Sequence, residues 1–537
     1  MLPKIGADVQ QNPIQLVWLK RDLRIDDHRP IWEACQAGPT LVLYVFEPKL
    51  WAMPEMDRSH FDFIVQSLKD LSKNLAEIGG RLAIRLGELP DVFVAIARDP
   101  PGVDITAIYS HEETGNGFTF DRDRRVSQWA RQTGIPWTQF PQNGVVRPLR
   151  NRNGWAGIWQ KRMIAPITPT PTRMVIPDEF DWGRIPQGEE LGLPSTRKTN
   201  LQVGGESKAK ETLDSFLTIR GFNYRKGMSS PVTAGKNCSR LSPYLAWGCI
   251  SVKSAYQQLV GRQREIRAAP VGSVDLRWLS SLNSFSSRLA WHCHFIQKLE
   301  DEPELEFRNI SRVYDGLREN DFHQERFEAW KEGNTGYPMI DACMRALNEG
   351  SWINFRMRAM LMSFASHHLW LHWRPTAIHL AKHFLDFEPG IHFSQCQMQS
   401  GTTGINTIRI YSPIKQVIDH DPKGVFIRQY VPELANVPDE YLPEPHWMPL
   451  DLQSHIGCIV GRDYPLPIVD HRKAYKSAQE KIFAIRQTIS AIDESKQVFL
   501  KHGSRKKRDP LVKPKKESGL RQLTLFDGSD DLFDLNL

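Results

Sequence analysis

The chain has 537 residues, of which 40% are hydrophobic and 24% charged, with a formal net charge of +7. That is the composition of a globular protein of two or more domains, and the mildly basic balance permits a polyanionic partner without proving one. The seven cysteines (Cys35, Cys238, Cys249, Cys293, Cys343, Cys396 and Cys458) are scattered, odd in number and form no C-x-x-C pair, which argues against a disulfide framework and a compact zinc or iron–sulfur site. The first fifteen residues lack the apolar run of a signal peptide and no run approaches a membrane span, so a soluble cytoplasmic protein is expected.

In chain order, IQLVWL, LVLYVF, LAIRL, ITAIYS and PWTQF read as strands. Between the second and third, HFDFIVQSLKDLSKNLAEIG has a helical period, with Phe63, Leu68, Leu71 and Leu75 on one side. This alternation over residues 14–147 predicts an α/β domain built on a doubly wound parallel sheet. No G-x-G-x-x-G follows the first strand, so the usual dinucleotide fingerprint is missing. Residues 148–205, polar and punctuated by Pro166, Pro169, Pro171, Pro177, Pro186 and Pro194, read as an inter-domain connector. From 206 to 497 the helical period dominates, through stretches such as SSRLAWHCHFIQKL, RMRAMLMSFASHHLWLHW and AQEKIFAIRQTISAI, and predicts an all-α domain. Residues 498–537 form a tail, basic and then acidic, whose composition predicts disorder.

Two stretches carry more polar chemistry than packing needs. Residues 329–358 open on the turn-rich GNTGYP and end on Arg356 and Arg358, which point to nearly opposite sides of a helix. Set among Met357, Met360 and Leu361, at least one is partly buried and needs an acidic or phosphate partner. In residues 386–413, Asp386 and Glu388 precede an expected turn at Pro389–Gly390, and the Ser-, Gln-, Thr- and Gly-rich segment after it suits a large polar cofactor, a nucleic acid or simply a capped loop. His368 and His372 stand at chelating spacing, but no third ligand lies nearby, so no metal is expected.

WLKRDLRIDDH at 18–28, CSRLSPYLAWGCIS at 238–251, WKEGNTGYPMIDACMRAL at 330–347 and RIYSP at 409–413 resemble, in order, signatures of the photolyase/cryptochrome family. The resemblance runs from about residue 14 to 490. It implies a light-driven flavoprotein with FAD bent inside the helical domain. Tyr224, Cys238, Ser239, Leu241 and Ser242 match the loop that holds its phosphates, with Cys238 where the family usually has threonine. Arg358 and Asp386 match a pair beside the flavin ring, Glu388 replaces a second aspartate, and His392 aligns with an asparagine facing the ring's reactive nitrogen. In a photolyase, excited reduced FAD gives an electron to a pyrimidine dimer flipped out of the duplex.

The lesion side departs from the pattern. Trp291 matches the pocket tryptophan, but Arg288 stands at a glutamate position, Phe355 at an asparagine and Met398 at a second tryptophan. Arg356 is read as a DNA contact, and Ala359 stands where 6-4 photolyases carry a first histidine. Of three electron-transfer tryptophans only Trp373 is matched; Cys396 and Asn320 replace the others, with Trp352, Trp370 or a tyrosine as alternative carriers. HEETGNGFTFDRDRRV resembles an antenna segment, Glu112 or Glu113 contacting a pterin or deazaflavin, or is a plain surface loop. In the tail, Gln522, Leu523, Leu525 and Phe526 resemble the motif by which bacterial repair proteins dock on the sliding clamp; the alternative is a chance apolar cluster or a segment docking on its own body. Two readings follow: a monomeric DNA photolyase acting on UV-damaged DNA, or a cryptochrome-type photoreceptor without repair.

Overall fold

The structure, a computed structural model, describes residues 13–99, 102–195, 198–350 and 352–503. The candidate clamp motif at Gln522, Leu523, Leu525 and Phe526, and the expected disorder around it, lie outside the described residues.

Strands β1 (Pro13–Leu19), β2 (Thr40–Phe46), β3 (Leu82–Leu86), β4 (Asp104–His111) and β5 (Trp137–Phe140) form a parallel sheet in the order β3-β2-β1-β4-β5. The two-residue period of a strand sends its side chains to two cores. Ile14, Leu16, Trp18, Leu41 and Leu43 pack under the Asp91–Arg98 helix, while Val17, Leu19, Val42, Tyr44 and Phe46 face the other way. That second core runs on without a break into Leu213, Phe216, Leu282 and Phe285 of the helical domain, so the two domains share buried apolar surface. A separate core around Met339, Met357, Phe364 and Trp373 holds the rest of the helices together.

Three expectations are corrected. The connector contains a helix, Trp155–Ile164, because Trp155, Trp159 and Met163 recur at helical spacing; Trp159 packs edge-on against Tyr256 at 5.2 Å. RMRAMLMSFASHHLWLHW is not one continuous helix. Phe355–Ser363 is followed by a wide turn at Phe364–His368, Trp370 takes a left-handed φ of 57°, and a new helix runs over Trp373–His383. AQEKIFAIRQTISAI breaks at Thr488, whose hydroxyl accepts from Ala491 N and starts the Ile489–His502 helix after His471–Arg486. Among the described residues no helix is long and apolar enough to cross a membrane.

Two of the sequence signatures interlock. Gly248 sits at φ 69°, and a Cβ there would lie 2.0 Å from the Arg21 carbonyl oxygen. Only glycine lets the 238–251 loop lie against the end of β1, where Arg24 Nη1 donates to Gly248 O at 2.9 Å. The GNTGYP turn is held from within. Asp341, fully buried, accepts from Thr335 N and Oγ1, Gly336 N and the Tyr464 hydroxyl at 2.6–3.0 Å.

Asp22, His28 and His111 also cluster in the core, with His28 Nε2 and His111 Nδ1 at 3.0 and 2.8 Å from one Asp22 oxygen. His28 Nδ1 accepts from Ile31 N, which commits Nε2 to a proton, so the group is a hydrogen-bond relay that caps a helix.

Candidate functional site

The loop after Asn237 is shaped by one arginine. Arg220 donates to the carbonyls of Thr212, Cys238 and Ser239 and to Ser215 Oγ, at 2.7–3.2 Å. Arg240, in a left-handed conformation at φ 60°, donates to Gln202 Oε1 and stacks on Trp352 with its guanidinium carbon 3.9 Å from the ring centre. Arg358 donates Nη1 to Asp386 Oδ1 at 2.8 Å and Nε to Ile353 O, and lies 4.1 Å over the Phe384 ring. Burial works to raise the Asp386 pKa, but Arg358 and the Ser242 hydroxyl overcome it and hold the carboxyl below its usual range. The Cys238 thiol is pushed up to about 12 by burial, against the pull of Arg240, Arg220, Arg288 and Arg358. Those four guanidinium groups come from four separate segments and converge on one loop.

Beside this cradle opens a cavity of about 560 Å³. Phe355, which is 44% exposed, stands at its edge, and Ala359, Met362, Phe384, Phe387 and Ile391 supply apolar walls. Its polar groups are Arg358, Asp386, Glu388, His392, Gln395 and Gln399, with the Cys396 thiol. Pro389 and Gly390 open the Pro389–Ser400 helix rather than making the expected turn, because proline is preorganised for a first helical position. Gly390 lets this helix pack closely, since a Cβ there would meet Ile296 Cα at 2.6 Å. His392 donates Nε2–H to Ala377 O at 2.8 Å, and burial drops its pKa to about 4, so it is a neutral imidazole with a lone pair on Nδ1. Glu388 is pushed up by burial although Arg21 Nη1 donates to it at 3.1 Å.

The other candidate residues lie around this centre. Tyr224 is buried edge-on against Phe216, Leu241 is core, Ser239 Oγ accepts from Leu241 N, and Ser242 bonds Asp386. Trp291, Arg356 and Met398 are half-buried and do not line the cavity. Trp373 is fully buried, donates Nε1–H to Asn309 and does not line the cavity. Trp370 is flanked by Arg318 and Lys481, 4.5 and 4.4 Å from its ring centre, and Asn320 is exposed. His368 stacks on Phe364 while His372 lies near Glu319, and the non-helical stretch through left-handed Trp370 between them breaks the chelating spacing.

Residues 285–484 match the model of the FAD binding domain of DNA photolyase, and residues 15–156 match that of DNA photolyase. The chain belongs to the photolyase/cryptochrome family. It is 28% identical to a deoxyribodipyrimidine photo-lyase of Alkalihalophilus pseudofirmus over 87% of this chain and 97% of the relative. It is 26% identical to a cryptochrome DASH of Gloeobacter violaceus, over 85% of this chain and 93% of the relative, and 26% identical to a (6-4)DNA photolyase of Arabidopsis thaliana, over 87% of each. The crystal structure of a class III photolyase from Agrobacterium tumefaciens superposes with a TM-score of 0.78 at 24% identity, over 90% of this chain and 99% of that one.

The residues at the photolyase-type FAD site fit the cofactor. Arg358 Nη2, Glu388 Oε1 and Gln395 Oε1 are buried without hydrogen-bond partners, one donor and two acceptors for the carbonyls and N–H of an isoalloxazine. The arginine cluster suits a diphosphate. Sequence reasoning missed Arg220 and Arg240, although Arg240 lies inside the 238–251 signature, between Ser239 and Leu241.

A second cavity, of about 610 Å³, lies at the carboxyl ends of β1, β2 and β4, beside the β1–β4 boundary where sheet order reverses. Trp18, Lys20, Arg21, Tyr44, Glu47 and Glu113 line it, whereas Glu112 does not. Arg122 binds Glu47 at 2.8 Å and also Glu113, and Glu47 Oε1 is buried without a partner. Phe387 lines both cavities.

Proposed function

We propose that the protein is a light-driven DNA photolyase that repairs UV-induced pyrimidine dimers. The observation that carries the reading is the cavity beside the Arg358–Asp386 pair, edged by the exposed ring of Phe355, in a chain with the FAD-binding domain of the family. Bound FAD, once reduced and excited, supplies the electron. Arg358 holds positive charge beside the ring and Asp386 fixes its direction. The apolar walls keep water from the reacting pair, and Phe355 offers a face on which an unstacked pyrimidine can lie. Trp291, Arg356 and Met398 are assigned to the DNA side around the mouth. The second cavity is the place for an antenna chromophore, pterin or deazaflavin, with Glu113 as its contact. We place the enzyme in the cytoplasm as a monomer, tethered to the sliding clamp through Gln522, Leu523, Leu525 and Phe526.

Purified, chemically reduced protein mixed with a single-thymine-dimer oligonucleotide and lit with blue light should release intact thymine. No release there or from a 6-4 lesion, with FAD bound, sinks the repair reading. A photoreceptor without repair is then left, a reading favoured by Met398 and Phe355, which cannot make the contacts of the tryptophan and asparagine they replace. Calorimetry of a peptide spanning residues 517–530 against a bacterial clamp tests the tether, and absence of binding removes it.

A further inference from the structure

Arg288 aligns with a lesion-reading position, yet its side chain points elsewhere. It lies on the Arg277–Asp301 helix, with Nη2 3.9 Å from Met228 Sδ. It hydrogen-bonds the Tyr224 hydroxyl, and its charge bears on Cys238 together with those of Arg220, Arg240 and Arg358. Tyr224, Met228 and Cys238 belong to the phosphate-loop side of the cradle. Arg288 does not line the 560 Å³ cavity.

Arg240 on this loop is repelled by the guanidinium groups of Arg220 and Arg358, and Arg288 bears on Cys238 of the same loop. Burial lowers the Arg240 pKa to about 10, with Arg358 and Arg220 adding to the effect and Asp386 opposing it. Such convergence is costly unless a polyanion sits among the four. The diphosphate of FAD carries that charge, and a planar guanidinium fork matches phosphate oxygens in a way an amide does not. Arg220 is already occupied by neutral carbonyls and shapes the loop. Arg358 is oriented by Asp386 toward the ring end. Arg288, reaching in beside the Tyr224 hydroxyl, is placed for the phosphate end.

We propose that Arg288 is a ligand of the FAD diphosphate and not a reader of the DNA lesion. The inference rests on the FAD site alone and holds whether or not the bound flavin repairs DNA. It also means that the loss of the glutamate at this position strengthens cofactor retention and is silent on which lesion is bound.

The test is FAD retention by the holoprotein. Parent, Arg288→Gln and Arg288→Lys are diluted, and released FAD is followed by its fluorescence rise across a salt series. A charge-assisted hydrogen bond of this kind corresponds to about ten- to hundredfold in affinity, so Arg288→Gln should release FAD faster by that order, and Arg288→Lys should recover most of the loss. The gap between parent and Arg288→Gln should narrow as salt rises. The flavin absorption spectrum should be the same in all three, since ring contacts are untouched, and the FAD-loaded variants should bind a dimer-containing oligonucleotide as the parent does. Arg288→Met, close in volume, replaces the amide variant if that fails to fold. Retention by Arg288→Gln within about twofold of the parent, well below that expected range, overturns the proposal. So does a loss of lesion-DNA affinity at full FAD occupancy. A parent that repairs nothing leaves this result unaffected.

Discussion

Asp386→Ala removes the carboxylate that faces Arg358 at 2.8 Å. The Asp386 side chain is 6% exposed and that of Arg358 20%. Deleting one partner of a buried pair costs about 3–5 kcal/mol, because the charge left behind has lost its counter-ion. The fifth of Arg358 that meets solvent at the cavity edge argues for the lower end, about 3 kcal/mol. For a chain of this size that is a fall in melting temperature of roughly 3 °C, read by circular dichroism on FAD-loaded and FAD-free protein alike. The pH dependence is also fixed. The folded-state pKa of Asp386 is depressed, so its contribution is fully present above the unfolded value and disappears as pH falls through the folded one. The deficit of the variant should therefore be the same at about pH 6 and pH 8 and shrink only below about pH 4. A variant that melts within about 1 °C of the parent, far less than the expected shift, refutes the argument that this pair bears on stability.

Asp341→Ala strands four donors around the GNTGYP turn and should cost at least about 4 kcal/mol in urea unfolding, with Asp341→Asn recovering part of it. Glu306, 1% exposed and bonded to Gly117 N across the domain interface, is raised to about 7 by burial. Its folded pKa lies above the unfolded one, so stability falls as pH rises between the two values. Glu306→Gln should melt higher than the parent at about pH 8 and no higher at about pH 4, and a gain that is equal at both would contradict this. Cys396→Trp puts an indole in the cavity wall, at the position where the family resemblance expects the inner electron-transfer tryptophan. It should speed light-driven reduction of bound FAD, followed as bleaching of the flavin band with a thiol donor present. In the parent, Trp373→Phe should leave that rate unchanged.

What the sequence showed and hid divides along physical lines. The five strands were legible because alternation and β-branched runs are local signals, and Val17 and Trp18 face opposite cores as the two-residue period requires. The break after Ser363 was hidden, since FASHHLWLHW keeps an apolar rhythm through the wide turn at Phe364–His368 and the left-handed backbone at Trp370. The Trp155–Ile164 helix was masked by the prolines that follow it. At the site, Arg358 and Asp386 were legible through the family signatures. The approach of Arg288 to the loop shaped by Arg220 and Arg240 was not, because it depends on how the Arg277–Asp301 helix packs there.

Phe387 gives the molecule one further property. Its ring, stacked on His60 at 6.3 Å and edge-on to His392 at 5.4 Å, forms part of the wall of two compartments. Any displacement of that ring by a guest in one compartment alters the wall of the other. A coupling made this way is reciprocal: whatever factor occupancy of one compartment applies to affinity in the other is applied equally in return.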